Sequence, residues 1–229
     1  MVSAFDRIVI AVPDLTDAAA EYERLLGVAP LPPAEPAPHP ALWLALPNTL
    51  LELRERSIAQ PAIAGVVFSA PCGFAPRFDD RQLGLSLSDG QATRQFRLAR
   101  PEAQCRTFCV DHLVLRTADS DACIDLFATT LGIRLALDRT VPEWGGRMLF
   151  FRTGKLTLEV IDSGADMNGH DRFWGIAFQC RDIERSAAEM MQRGVAVSAV
   201  RDGRKPGTRV ATVKSSCLGI PTLLIEQAP

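Results

Sequence analysis

The stretch 5–15, FDRIVIAVPDL, returns in altered form at 110–120 as VDHLVLRTADS. Placing Asp6 on Asp111 sets Arg7 on His112 and Ile8-Val9-Ile10 on Leu113-Val114-Leu115. The same placement sets Gly27 on Gly132, within LLGV and TLGI. Such self-similarity at a fixed spacing marks a duplicated structural unit. Each copy opens with a β-branched, apolar run, the pattern of a buried strand. A short acidic or hydroxyl residue follows, Asp14 in one copy and Asp119 or Ser120 in the other, suited to accept hydrogen bonds from the first turn of a helix. Leu15, Ala18, Ala19, Tyr22 and Leu26 then form one apolar stripe, and Ile124, Phe127, Ala128 and Leu131 form another, at helical spacing. Gly27 and Gly132 can take the left-handed conformation that ends a helix.

Working outward, three short strands are expected after each helix. In the first copy they fall near 28–31, 41–46 and 49–55, and in the second near 133–138, 147–153 and 155–162. Gly154 and Lys155 mark the turn of a hairpin between the last two. A further copy reads at the C-terminus: a strand in GIAFQCRDI (175–183), a helix in ERSAAEMMQRGV and a last strand in PTLLIEQ (221–227). A degraded copy occupies 62–99, opened by AGVVFSA and closed, on this reading, by a strand in RQFRLAR, with the helix between them short or absent. The expected fold class is therefore α+β, with βαβββ modules paired as 1–100 (modules near 5–55 and 62–99) and 108–229 (modules near 108–162 and 172–228). The polar, proline-led stretch 101–107 suits a linker. PLPPAEPAPHP (30–40) reads as a stiff loop.

The bulk properties restrict the function. The 229 residues suit one large domain or two, and 47% hydrophobic content allows a full core. With 25 basic against 27 acidic residues the net charge is −2, which gives no electrostatic reason to expect a nucleic acid or an anionic membrane as partner. No apolar run approaches the roughly 20 residues needed to span a bilayer. The N-terminus lacks the layout of a signal peptide, so a cytoplasmic location is expected. The six cysteines are then expected as reduced thiols. Phosphate loops, nucleophile elbows and zinc-finger spacings are missing from the sequence.

The repeated module, with its two headings FDRIVIAVPDL and VDHLVLRTADS, resembles the vicinal oxygen chelate superfamily, the glyoxalase, bleomycin-resistance and extradiol-dioxygenase group, in a four-module single chain. The resemblance implies two cupped sheets, each of which can hold a divalent metal. In this family the ligands come from the second or third position of a module's first strand and from a glutamate on its last strand. Those positions fall on His112 and Glu159 in the third module and on Gly175 and Glu226 in the fourth. In the first module they fall on Arg7 and Glu52, and the second module offers no ligand.

Strand alternation supports part of this. If Leu113 and Leu115 pack on the helix, His112, Val114 and Arg116 face the other way, with Thr157, Glu159 and Ile161 beside them. Leu224 and Glu226 are expected to point there too. One imidazole and two carboxylates, His112, Glu159 and Glu226, suit zinc, manganese, nickel or iron, with Glu159 or Glu226 moving a proton. Arg116, Trp144 and Gln179 are candidate substrate contacts. The bland alternatives are His112 bonded to Asp111 and Glu159 paired with Arg116 or Arg147. Arg7 against Glu52 reads as a buried ion pair in place of a metal. The basic loop RDGRKPGTR (201–209) reads as a solvated face or as a clamp for an anionic group.

Two functions follow. One is a divalent-metal-dependent lyase or isomerase acting on a small oxygenated metabolite. The other is a metal-free small-molecule binding protein of the bleomycin-resistance kind, with no cofactor. A ring-cleaving dioxygenase is disfavoured, because the second histidine of its ligand set is Gly175 here. The resemblance also allows a homodimer, since such modules often associate through their sheets.

Overall fold

The computed structural model describes residues 1–33, 39–141, 146–162 and 170–227. Two sheets form its framework. The first is built from β1 (Ala4–Val12), β2 (Ala41–Ala45), β3 (Leu50–Glu55), β4 (Ala62–Ser69) and β5 (Leu85–Ser88), in the order β2-β3-β1-β4-β5. The second holds β6 (Cys109–Thr117), β7 (Arg134–Val141), β8 (Gly146–Thr153), β9 (Leu156–Asp162) and β10 (Arg172–Gln179). It is completed by β11 (Arg201–Asp202), β12 (Thr208–Val213) and β13 (Thr222–Gln227), in the order β11-β12-β13-β10-β6-β9-β8-β7.

The repeat is visible in the pairing. The first strands of two modules, β1 with β4 and β6 with β10, run antiparallel at the centre of each sheet. The last strand of each module lies parallel beside its own first strand, as β3 does on β1 and β9 on β6. A parallel neighbour requires a crossover, and helices supply it in three of the four modules. These are α1 (Leu15–Leu26), α3 (Ser120–Cys123) with its continuation, and α4 (Ile183–Gln192). Asp14, Asp119 and Asp182 cap their first turns, accepting from Asp17, Ala122 and Arg185 backbone N–H groups at 2.8, 3.0 and 3.0 Å. Gly27 ends α1 with φ 75°, a conformation that favours glycine.

The structure differs from the sequence expectations at four places. The second helical stripe is α-helical only to Cys123 and continues as a π-helix over Ile124–Thr130, with Leu131 N–H reaching Leu126 O at 3.0 Å. This wider winding puts Leu126 and Phe127 inward, with Ile124 and Ala128 only partly buried. No strand forms at 28–31 among the described residues, where Leu31 makes an isolated bridge to Trp43. The basic loop contains the short strand β11. The fourth change is the largest. RQFRLAR is not a strand but part of helix α2 (Gln91–Ala99), and β5, parallel to β4, closes the module instead. Helical spacing of Thr93 and Phe96, its two buried residues, was the signal for this.

One continuous core joins the two sheets. Ile8, Ile10 and Val12 of β1, Leu113 and Leu115 of β6, Leu25 of α1, Phe127 of the π-helix after α3 and Met190 of α4 all belong to it. Arg193, just after α4, donates to the carbonyls of Arg24 and Leu25 at the end of α1, at 2.7 and 3.3 Å. Arg81 of the first half holds Asp171 of the second, which also accepts from Thr117 Oγ1 at 2.7 Å. The opposite face of each sheet carries its cup. In the first sheet α2 lies over that face, with Phe96 fully buried against Trp43, Ala45 and Leu50. No helix among the described residues is long and apolar enough to cross a membrane.

Candidate functional site

In the second sheet the cup face is set by alternation along β6 and by register with β9 and β10. His112 lies opposite Thr157 and Ala177, and Val114 lies opposite Glu159 and Gly175. His112 and Glu159 therefore share the cup face, with His112 Nε2 3.4 Å from Glu159 Oε2. His112 Nδ1 is 2.9 Å from Asp111 Oδ2. Burial lowers the His112 pKa, but the bond to Asp111 and the charges of Glu159 and Asp111 outweigh it, and the net direction is upward. Burial raises the Glu159 pKa, His112 pulls it down, Asp111 raises it and Arg204 lowers it. The cup thus holds a carboxyl biased toward its neutral form beside an imidazole biased toward its charged form.

Arg116 extends from the same face, its guanidinium 4.7 Å from the Trp174 ring centroid, and its Nε is buried without a hydrogen-bond partner among the described residues. Trp174 is 39% exposed and sits at the register shift between Phe173 and Gly175. Gln179, also on this face, accepts from Cys109 Sγ at 3.5 Å. Ala177, Val210, Leu223 and Ile225 form an apolar cluster on the cup side. Trp144 lies outside the described residues. Arg147 does not reach Glu159. It binds Asp138 of β7 and Asp121 of α3, at 2.7 and 2.6 Å. His170 is exposed.

Glu226 does not join His112 and Glu159. Its neighbour in sequence, Ile225, is on the cup side, and Leu224 is in the shared core. Glu226 therefore faces the helices, where its Oε2 accepts from Ile183 N–H at the start of α4 at 2.7 Å and its Oε1 lies 3.7 Å from Arg209. The physical reason is register. Glu159 lies opposite Val114, and the matching residue opposite Ala177 is Leu223, three positions before Glu226. The phrase LLIEQ carries a glutamate, but on the other face of its strand.

The first cup repeats the register of the third module with other chemistry. Arg7 and Glu52 take the places of His112 and Glu159, and Arg7 Nε is 3.0 Å from Glu52 Oε2. The Glu52 carboxylate also accepts from Trp43 Nε1 at 3.2 Å and from Arg54 Nε at 2.6 Å. Arg7 stacks 5.0 Å from the Trp43 ring centroid. Two donors hold this carboxylate, Arg7 lies beside it as an ion-pair partner, and α2 covers the face it lies on.

Comparison with known proteins agrees with this architecture. Residues 111–212 match the family described as Glyoxalase/Bleomycin resistance protein/Dioxygenase superfamily. The resemblance to the vicinal oxygen chelate superfamily rests on this match over residues 111–212. A triple mutant of 4-hydroxymandelate synthase from Streptomyces coelicolor is similar over 99% of this chain and 93% of that one, at 15% identity and a TM-score of 0.75. That likeness in fold covers both halves of the chain. Methylmalonyl-CoA epimerase from Mycobacterium tuberculosis aligns over 52% of this chain and 88% of its own, at 19% identity and a TM-score of 0.43. The Streptomyces coelicolor epimerase aligns over 52% and 97%, at 24% identity and a TM-score of 0.43. A search of curated proteins returns no match.

The superfamily implies a divalent metal, and the described residues do not fit one. His112 and Glu159 are two ligand-type groups, and no cluster of three or more His, Cys, Asp or Glu side chains suited to a metal forms among the described residues. The fourth module cannot supply the missing ligand at Gly175. A Cβ there would lie 2.7 Å from the Pro221 carbonyl oxygen, which accepts from Ile176 N–H at 3.0 Å. The second module shows the same device, with a Cβ on Gly65 falling 2.2 Å from the Gly84 carbonyl oxygen. In both even modules, then, backbone packing occupies the space that a ligand side chain needs.

Proposed function

We propose that the second cup binds a small, oxygenated, carboxylate-bearing metabolite without a resident divalent metal. The observation that carries this reading is the facing pair His112 and Glu159, 3.4 Å apart, opposite a module that presents Gly175 and Leu223 in the matching places. Charge and shape support the ligand class. Arg116 brings a guanidinium with a buried, unpartnered Nε, a natural donor to a carboxylate. Trp174 and the cluster around Ala177 and Leu223 offer apolar surface for a carbon skeleton.

A second reading, enzymatic proton transfer, is favoured by one observation. Burial raises the Glu159 pKa toward the range in which a carboxyl can both take and return a proton. Glu159 would take the proton next to a ligand carbonyl, while protonated His112, held by Asp111, would donate to the carbonyl oxygen.

The test is thermal stabilisation by a panel of small hydroxy and keto acids, with and without EDTA, alongside metal analysis of the purified protein. A saturating ligand is expected to raise Tm by about 5–10 °C, equally with chelator present, and Arg116→Ala is expected to abolish the effect. Stoichiometric metal, or stabilisation that EDTA removes, would overturn the metal-free reading. Exchange of a bound ligand's carbon-bound proton with deuterated water, present in the wild type and absent in Glu159→Gln, would select the enzyme.

A further inference from the structure

A second cavity, of about 830 Å³, lies in the other half of the molecule, between α2, the start of β1 and the end of β4. Its polar lining is unbalanced in a specific way. Two carboxylates border it, and both are engaged: Asp6 accepts from Arg7 at 2.8 Å, and Asp89 accepts from Gln91 N–H at 2.9 Å. Two guanidiniums border it as well, Arg94 and Arg97, one turn apart on α2, and neither forms an ion pair within 4 Å among the described residues. Arg97 reaches only a carbonyl, that of Leu46 at 2.9 Å, and its Nε is buried with no partner. Burial lowers its pKa, and the charge of Asp6 opposes that without closing to contact.

Thr93, on the same helix, is 8% exposed and lines the same cavity, and its hydroxyl has no hydrogen-bond partner. Leaving a buried hydroxyl and a buried guanidinium N–H unsatisfied destabilises the free protein. A protein recovers that stability when a ligand completes the bonds. Beside these groups Leu98 stands 75% exposed on the cavity rim, an apolar surface that a purely inorganic ion would leave in water.

We propose that this cavity is a second ligand site, for a small organic anion. Its carboxylate or phosphate group lies among Arg94, Arg97 and the Thr93 hydroxyl, and its apolar part covers Leu98. The site shares no residue with the cup of His112 and Glu159, so it stands or falls apart from that reading.

Isothermal titration of the full chain with hexanoate, hexyl phosphate, inorganic phosphate and hexylamine tests it. Hexanoate or hexyl phosphate should bind saturably at this cavity, and the comparison of the two identifies the head group. Inorganic phosphate should bind more weakly than hexyl phosphate, and hexylamine not at all. Arg94→Gln and Arg97→Gln should each weaken binding about tenfold or more. Thr93→Val should weaken it by a smaller factor while leaving the free protein as stable or more stable, because a buried unpaired hydroxyl is removed. If Arg97→Gln does not fold, exposed Arg94 and Thr93→Val decide the question. No saturable binding of either anion would overturn the proposal. So would binding that survives Arg94→Gln and Thr93→Val but is lost in Arg116→Ala, which would place the anion in the other cup.

Discussion

Gly175 lies so close to Pro221 that a Cβ added to it would sit 2.7 Å from the Pro221 carbonyl oxygen. The missing ligand of the fourth module is thus a matter of backbone packing and not of one replaceable side chain. Gly175→Ala should destabilise the protein by about 1–3 kcal/mol, the usual cost of overpacking, read as a lower urea midpoint at unchanged slope. Gly175→His should be no better tolerated and should not acquire a stoichiometric metal. A Gly175→His protein of wild-type stability that binds one equivalent of zinc would refute this account.

The His112 environment predicts a pH dependence. Its folded pKa stands above the ordinary 6.5, through Asp111 and Glu159 working against burial. The folded protein therefore holds that proton more tightly than the unfolded chain does. The resulting stabilisation is fully present below 6.5 and is lost as pH rises through the raised value. Glu159, raised from 4.5, acts in the same sense from that pH upward. Urea unfolding from pH 5.5 to 8.5 should show stability falling with pH, about in step with the titration of the His112 ring by NMR. His112→Gln should flatten the upper part of that slope. An unchanged slope in the variant would assign the dependence to other groups.

Much of this was legible in the sequence, and the reasons are local. Asp14, Asp119 and Gly27 act through neighbours in the chain, so short motifs announced them. The Arg7 and Glu52 pair was legible because both copies of the repeat keep one register. The fourth module was misread because LLIEQ can be slid along LTLEVID without breaking any apolar pattern, and only pairing with β10 fixes which residue faces His112. Helix α2 was missed for a related reason. Its apolar residues are few, and they pack on Trp43 of a strand distant in sequence. Arg204, whose charge reaches Glu159, comes from a loop that the sequence marked only as basic.

Phe96 is the point at which α2 seals the first cup. It is fully buried, 5.5 Å from Trp43 between ring centroids, and α2 has few other buried residues. Phe96→Ala should cost about 3–5 kcal/mol, with the tryptophan emission shifting to the red as water reaches Trp43. The cup of the second half should keep its ligand response at temperatures where the variant stays folded. A variant with wild-type stability and unshifted emission would show that α2 does not hold this face closed.

Glu226 separates the two accounts of the fourth module most directly. In the structure its carboxylate serves the N-terminus of α4, accepting from Ile183 N–H at 2.7 Å while Asp182 accepts from Arg185 N–H at 3.0 Å. A negative charge there also favours the helix dipole. Glu226→Ala should therefore lower stability by about 0.5–2 kcal/mol, the range for loss of a helix cap. Because the side chain lies on the helix face, ligand affinity at the cup should stay within about twofold, as expected for a site with no shared partner. Arg116→Ala should show the reverse pattern, with lost affinity and little change in stability. If Glu226→Ala instead abolished ligand binding while leaving the urea midpoint unchanged, Glu226 would have to face His112, and the register of β13 against β10 would be wrong by an odd number of residues.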